Sequence, residues 1–197
     1  MNVAAIPGYR LGDPQLPKSP LTPDDLATLK VSLLFGDDDI AALRKAHGIV
    51  ADQIEDILDV WYGFVGGTPH LLAYFSDPAT GQPVGAYLDA VRKRFGQWIL
   101  DTCRAEYDAA WLAYQDEIGR RHHRTGKNAT DGVRAAPHIA MRHLLALVSP
   151  ITITMKPFLA KKGHSAEEVE AMQAAWAKTV LLQAILWCRP YTRDGDF

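Results

Sequence analysis

The sequence predicts an all-α protein with one domain, and three observations carry that prediction. Apolar residues recur every three or four positions along several segments, which is the period of a helix with one buried face. Capping residues, glycines and prolines separate these segments at lengths typical of helices. The β-branched run at 151–154 is the one alternative strand, and the chain offers it no partner strand. We therefore expect seven or eight helices and no sheet.

The chain opens with an N-terminal extension, residues 1–20, which is rich in Gly and Pro. Its apolar residues indicate that it packs on the body of the protein. Thr22 followed by Pro23 and two acids is a strong helix start, and this first helix is expected to run to about Phe35. Residues 21–197 then form the single folded domain.

Four helices are predicted in the middle of the chain. A long helix spans residues 37–66 and ends at a Gly-Gly pair. A short helix follows over 68–75, and Pro83 starts another that breaks near Cys103. Asp108 then caps the helix that carries the histidine pair described below.

The last third of the chain predicts two helices. The first is expected over residues 137–162, with a kink at Pro150 because proline removes one bond of the helical ladder. Ser165 and Glu168 form a capping box that starts the last helix, which ends before Pro190. Long helices of unequal length around a mid-chain histidine leave globin-like packing and a simple bundle as alternatives.

His122 is the candidate metal ligand. Helical steps back from it meet Ile118, Tyr114 and Trp111, a nearly unbroken apolar stripe. His123 lies about 100° further round, on a mostly polar stripe. We expect His122 to point inward and His123 outward. A core histidine with an ordinary hydrogen-bond partner is the competing interpretation.

Composition excludes some functions. A formal net charge of -2 over 197 residues gives no electrostatic case for binding nucleic acid or an anionic membrane surface. No apolar run is expected to span a membrane, and the start is neither a signal nor a transit peptide, so a cytoplasmic protein is expected. Cys103 and Cys188 fit no metal-ligand spacing and are expected to be thiols.

Several long segments rich in Trp and His resemble the protoglobin family over nearly the whole chain. These segments are IPGY (6–9), DILDVWYGFVG (56–66), HLLAYF (70–75), YLDAVRKRFGQWILDT (87–102), WLAYQDEIGRRHHRTGKNATDG (111–132), PITITMKPFLAKKG (150–163) and the stretch from Trp187 onward. The resemblance implies a globin-like helical sandwich with an extra N-terminal helix or extension that packs on the haem side. It also implies a buried haem b, relationship to the sensor domains of globin-coupled sensors, and a homodimer formed through the C-terminal helices.

The same resemblance implies roles for individual residues. His122 matches the proximal iron ligand, which agrees with the apolar stripe. Trp61 and Tyr62 match a distal pair, and Phe95 a distal aromatic, although core packing alone also explains such aromatics. Tyr62 is then the donor expected for bound oxygen, which carries partial negative charge. Val91 stands where a conventional distal histidine would be.

Further residues are implied to line the haem. Arg94 precedes Phe95 and is expected to hold a propionate, with a solvated basic face as the alternative. The remaining cofactor-binding residues implied are Tyr87, Trp98, Leu147 and Ile151. Leu147 and Ser149 replace aromatic residues of the family, so looser packing beside the haem is expected.

The function implied is reversible binding of O₂, CO and NO by a carrier, scavenger or sensor, with no dedicated enzymatic activity expected. One alternative is a haem enzyme acting on NO, nitrite or peroxide. It would need an external electron donor, since we expect no flavin or nicotinamide domain. Another is a haem-free helical interaction module in which His122 is structural.

Overall fold

A computed structural model describes residues 6–193 and 195–197, and it confirms the all-α prediction. Within those residues there is no strand, only an isolated bridge between Ser76 and Pro83. The helices are α1 (Pro23–Ser32), α2 (Asp37–Val50), α3 (Ile54–Gly66), α4 (Pro69–Leu72), α5 (Gly85–Arg104), α6 (Ala109–His122), α7 (Met141–Ala146), α8 (Val148–Leu159) and α9 (Ala166–Cys188). Short 3-10 turns follow α4, α8 and α9, over Ala73–Phe75, Ala160–Lys162 and Arg189–Tyr191.

The N-terminal extension forms turns and extended chain over residues 6–20, and the first helix is α1. Residues 1–5 of the predicted extension lie outside the described residues. Thr22 caps α1, as predicted, and Asp25 completes a reciprocal capping box that was not predicted. The helix ends three residues before Phe35. The hydroxyl of Tyr9 donates to Asp101 on α5 at 2.7 Å, so the extension is fastened to the body.

The predicted helix over residues 37–66 is in fact two helices, because the chain breaks after Val50. The buried Gln53 explains the break. Its side-chain amide donates to the carbonyl of Ile49 at 2.7 Å, which is the bond that a continuing helix would make with the backbone N–H of Gln53. That N–H instead donates to Val50. The break itself, residues 51–53, contains neither glycine nor proline, so the sequence pattern did not predict it.

The helix predicted over residues 137–162 also differs. Helix α7 begins only at Met141, since the backbone N–H groups of Ile139 and Ala140 donate elsewhere, to the carbonyl of His122 and to the hydroxyl of Tyr74. The break falls at Leu147, between α7 and α8, and not at Pro150. Pro150 lies in the first turn of α8, where no intrahelical N–H bond is lost.

The same region corrects the expectation that no segment is apolar enough to span a membrane. Met141–Lys162 meets the requirement by length and composition. Part of its apolar content packs inside the protein, since Met155, Phe158 and Leu159 belong to the main hydrophobic core. Residues 151–154 lie within α8, so the alternative strand is wrong.

Helix α9 is the centre of the packing, since it lies against α2, α6 and α8, while α5 packs on α2 and α3. Its predicted capping box between Ser165 and Glu168 is confirmed. Cys103 and Cys188 are buried thiols that are not joined to each other. Helices α3, α5, α6, α8 and α9 all contribute side chains to one internal cavity, which is the candidate site.

Candidate functional site

A cavity of about 220 Å³ lies between the helices, and it is lined mainly by apolar and aromatic side chains. A neighbouring void of about 10 Å³ lies behind Trp61, Phe95 and Ile151. All ten residues singled out in the sequence line the larger cavity: Trp61, Tyr62, Tyr87, Val91, Arg94, Phe95, Trp98, His122, Leu147 and Ile151. The structure therefore brings these residues together, while their roles toward a cofactor stay predictions.

His122 is the last residue of α6, and its imidazole is held in one tautomer. Its Nδ1 lies 2.8 Å from the carbonyl oxygen of Ile118, which can only accept, so Nδ1 carries the proton and Nε2 keeps its lone pair. Burial lowers the pKa of His122 to about 4, so the ring is neutral at physiological pH. Nε2 has no protein partner among the described residues. A neutral imidazole fixed at Nδ1 and available at Nε2 is the arrangement of a metal ligand.

Trp187 on α9 holds the same imidazole from one side. The two rings are nearly parallel, 13° apart, with centroids separated by 5.2 Å. The indole N–H of Trp187 donates to the side-chain oxygen of Gln115 at 2.8 Å, so the indole is also fixed. Gly119 allows this contact, since a Cβ there would lie 3.1 Å from the Cα of Trp187. The position of Trp187 could not be predicted from local patterns, because its partners are 65 or more positions away.

Another part of the cavity wall, here called the Trp61 side, is formed by Trp61 and Tyr62 on α3 and by Phe95 on α5. The rings of Trp61 and Phe95 lie 5.6 Å apart. Burial raises the pKa of Tyr62, so its hydroxyl stays protonated and can donate. Among the described residues, neither that hydroxyl nor the indole N–H of Trp61 has a hydrogen-bond partner. Two donors on this side are thus uncommitted.

Arg94 lines the cavity edge, and its guanidinium already holds a carboxylate. Its two terminal nitrogens bind Asp131 at 2.9 and 2.7 Å, and one of them also donates to the carbonyl of Pro7 at 3.1 Å. Both groups of the pair are largely buried. The propionate role expected for Arg94 therefore has a competitor that the sequence did not reveal, since Asp131 is 37 positions away.

Two other cations lie at this edge, and no pattern in the sequence indicated them. Arg121 donates to the carbonyl of Gly8 at 2.7 Å and to Glu117 at 3.0 Å, yet its second terminal nitrogen is buried without a partner in the described chain. Lys127 is buried, and burial lowers its pKa to about 8. The Lys127 amine donates only to neutral oxygens, including the hydroxyl of Tyr87 at 2.8 Å. An anionic group here would satisfy both cations.

The extension closes over this edge at Gly8. Its φ of +77° is a left-handed conformation that favours glycine, and a Cβ there would lie 2.5 Å from the Cγ2 of Thr130 and 2.9 Å from a nitrogen of Arg94. Tyr9, the next residue, lines the cavity. The extension thus contributes to the cavity lining, while its packing on the haem side stays a prediction.

Two sequence departures differ in their consequences. Leu147 lines the cavity at the break between α7 and α8, so its small size bears on the space there. Ser149 is exposed and is not among the lining residues. His123 faces away from the cavity, as predicted, and its ring packs on Tyr191 with centroids 5.0 Å apart.

The donor set determines what the cavity can hold. No group of three or more His, Cys, Asp or Glu side chains within residues 6–193 and 195–197 is arranged for a metal ion. A single neutral imidazole in an apolar cavity suits a metal that brings its other ligands with it. A family model described as Protoglobin matches residues 22–197.

The chain belongs to the Protoglobin family. The family implies a haem-binding globin, and haem is therefore the cofactor to test against the residues present. No curated protein matches the chain closely enough to add to this finding. The match begins at Thr22 and does not describe residues 1–20. The division into an N-terminal extension and a globin domain therefore stays a prediction.

The residues of this protoglobin fit a haem. His122 offers Nε2 to the iron, aromatic and aliphatic side chains suit the porphyrin, and the unpartnered nitrogen of Arg121 with the buried charge of Lys127 suits the two propionates. The family and the donor set both favour haem binding over the alternative of a haem-free interaction module.

Proposed function

We propose that this protoglobin binds O₂, CO and NO reversibly at a haem b whose iron is held by His122. The single observation that carries the proposal is the fixed, neutral imidazole: Nδ1 donates to Ile118, and Nε2 is available on the cavity side. When bound, the haem supplies the iron to which a diatomic gas coordinates. The protein has to hold that iron from one side and leave the other side open.

His122 performs the first task. It would be the only imidazole ligand among residues 6–193 and 195–197, since no second histidine in those ranges lines the cavity. The Trp187 stack and the Ile118 hydrogen bond restrict rotation of the imidazole, so it meets the iron in one orientation. An iron held in this way would have one protein ligand and would keep a position for a gas.

Tyr62 and Trp61 act on the open side. Bound oxygen carries partial negative charge, and an N–H or O–H donor stabilises it. Tyr62 is our first choice as donor because its hydroxyl stays protonated and has no partner among the described residues. Phe95 and Val91 make the rest of this side apolar, which favours small uncharged ligands.

Arg121 and Lys127 are proposed to hold the propionates. Each is buried or half-buried at the cavity edge, and a propionate would give Arg121 its missing partner and Lys127 an opposite charge. Arg94 would assist through the Asp131 pair, or exchange Asp131 for a propionate. Tyr87, Trp98, Leu147 and Ile151, which line the same cavity, would contact the porphyrin.

A carrier, a scavenger and a sensor of gases could all use this one site. We propose that the protein acts in the cytoplasm. We also propose that it forms a homodimer through its C-terminal helices. Exposed apolar side chains support that interface: Ile153 on α8 is 67% exposed and Leu181 on α9 is 37% exposed. Sedimentation equilibrium measures the mass of the haem-loaded protein, and a monomer at micromolar concentration would contradict the dimer.

The test of the gas-binding proposal is spectroscopic. The purified chain is loaded with haem, and the pyridine haemochrome identifies the haem type. We expect one haem b per chain, a five-coordinate ferrous spectrum, and distinct reversible spectra with O₂, CO and NO. A six-coordinate ferrous spectrum with two protein ligands, or failure to hold haem, would overturn the proposal.

A further inference from the structure

A row of buried indoles leads away from His122. The ring of Trp187 stacks on the imidazole, the ring of Trp98 lies 5.8 Å from that of Trp187, and the ring of Trp176 lies 5.7 Å from that of Trp98. All three indoles are at least nine-tenths buried. Neighbouring rings are thus in contact from the proposed iron ligand to the centre of the protein. Electrons cross such short steps easily.

Each indole N–H in this row donates to a neutral oxygen. Trp187 donates to Gln115 at 2.8 Å, Trp98 to Gln183 at 2.7 Å, and Trp176 to the backbone carbonyl of Ile151 at 3.3 Å. If an indole loses an electron it becomes a cation, and its N–H bond to oxygen becomes charge-assisted and stronger. These hydrogen bonds therefore stabilise the oxidised form of each indole relative to the neutral form.

We propose that Trp187 and Trp98 form an electron relay that serves the haem site when it reduces a peroxide. The inference rests on the proposed haem at His122. It adds an activity, peroxide reduction at the expense of protein indoles, that reversible gas binding does not require.

The electrons and atoms balance as follows. Hydrogen peroxide accepts two electrons and two protons and leaves as two molecules of water. Trp187 gives the first electron and is refilled by Trp98, and Trp187 then gives the second, so two indole cation radicals remain. Where no external reductant refills them, one indole radical gives a second electron to the other, which returns to the neutral indole. The oxidised indole then takes up the oxygen of a water molecule and releases two protons. The net result is then one hydroxylated tryptophan and one water per peroxide.

A purely structural role is the alternative, in which Trp187 only holds the imidazole in place. Trp111 distinguishes the two roles because it is a matched control. It lies on α6 like His122, is 4% exposed, and packs on Tyr107, but it neither lines the cavity nor touches the row of indoles. Oxidation that follows burial or residue type alone would affect Trp111 equally.

The experiment uses the full chain loaded with haem, whose haem content and CO spectrum are recorded first. Equimolar hydrogen peroxide is added to the ferric protein. Electron paramagnetic resonance of freeze-quenched samples detects indole radicals, and peptide mass spectrometry locates the added oxygen. We expect a tryptophan radical, and oxygen added at Trp187, at Trp98 and, beyond Trp98 in the row, at Trp176, but not at Trp111. Haem-free protein treated in the same way should show neither.

Two variants test the order of transfer. In Trp187→Phe, oxidation at Trp98 should fall to the level found at Trp111, because the first step is missing. In Trp98→Phe, the radical at Trp187 should remain while oxidation at Trp176 disappears. Trp111→Phe should leave the pattern unchanged. If Trp187→Phe does not retain haem, the Trp98→Phe result alone still decides whether electrons move along the row.

Three outcomes would overturn the relay. Oxidation at Trp98 that persists in Trp187→Phe would mean that peroxide reaches Trp98 directly. Equal oxidation of Trp111 and Trp187 would mean that no preferred route exists. Normal haem loading and gas binding without any tryptophan radical would refute the relay and leave the proposed function intact, whereas a chain that holds no haem would refute both.

Discussion

The two sides of the cavity differ in how their polar atoms are used. On the His122 side, Nδ1 of the imidazole is bonded to Ile118 and the indole N–H of Trp187 to Gln115. On the Trp61 side, the hydroxyl of Tyr62 and the indole N–H of Trp61 have no partner among the described residues. The first side is fixed in one geometry, as a permanent bond to a cofactor requires. The second keeps its donors for a ligand that comes and goes.

The largest effect is expected from His122→Ala, which removes the fixed side's iron bond. Stable haem retention should be lost, or reduced to weak binding that added imidazole rescues, because the iron loses its only protein ligand. The haem absorption spectrum of the purified variant measures this. His123→Ala is the matched control and should retain haem, since its ring packs on Tyr191 outside the cavity. The reverse pattern would show that the two histidines are assigned to the wrong faces.

The second largest effect is expected from acid, which should lower the folding stability contributed by the neutral imidazole of His122. Burial lowers the pKa of His122 to about 4 in the folded haem-free protein, whereas the unfolded chain has the ordinary value of 6.5. The unfolded chain therefore binds the proton first, and folding stability falls as pH drops from about 6.5 to about 4, by roughly 3 kcal/mol. Urea unfolding at several pH values, compared between wild type and His122→Ala, isolates this contribution. Equal pH slopes would rule out the buried neutral imidazole.

The open side is tested by Tyr62→Phe. If the hydroxyl donates to bound oxygen, its loss removes about 1.5–3 kcal/mol of stabilisation, so oxygen should dissociate on the order of tenfold or more faster. Carbon monoxide carries far less charge on its outer atom and should leave at nearly the wild-type rate. Stopped-flow kinetics of both gases, with Trp61→Phe in parallel, decides between the two donors. Equal acceleration of both gases would make Tyr62 a steric gate.

The smallest expected effect is on the free energy of unfolding, measured for one variant on each side of the cavity. Gln115→Leu leaves the buried N–H of Trp187 without an acceptor and should lower the free energy of unfolding of haem-free protein by about 1–3 kcal/mol. Tyr62→Phe removes a hydroxyl with no partner among the described residues and should change it by less than about 0.5 kcal/mol. Urea denaturation measures both. If the two variants lost equal stability, the polar atoms of the two sides would not differ as described.

Much of this protein follows from its sequence alone. The helical period and the caps at Thr22 and Ser165 depend only on residues that are close in sequence. Each cap predicted the start of its helix correctly. The inward direction of His122 also follows from a local property, the apolar stripe along one helix face. Side-chain direction within a regular helix depends only on residue spacing, so no knowledge of the tertiary structure was needed.

Tertiary structure decided what depended on distant partners. The break after Val50 follows from the buried Gln53, whose amide also lies 3.3 Å from the carbonyl of Phe158. Asp131 accepts hydrogen bonds from the guanidinium of Arg94. Trp187 contacts His122 because Gly119 lets the backbone of α9 approach α6 closely. Apart from the bond between Gln53 and Ile49, each of these contacts joins residues far apart in the chain, and its geometry exists only once the helices have packed. Periodicity gives the face on which a residue lies, but the residue it meets there is determined by the packing.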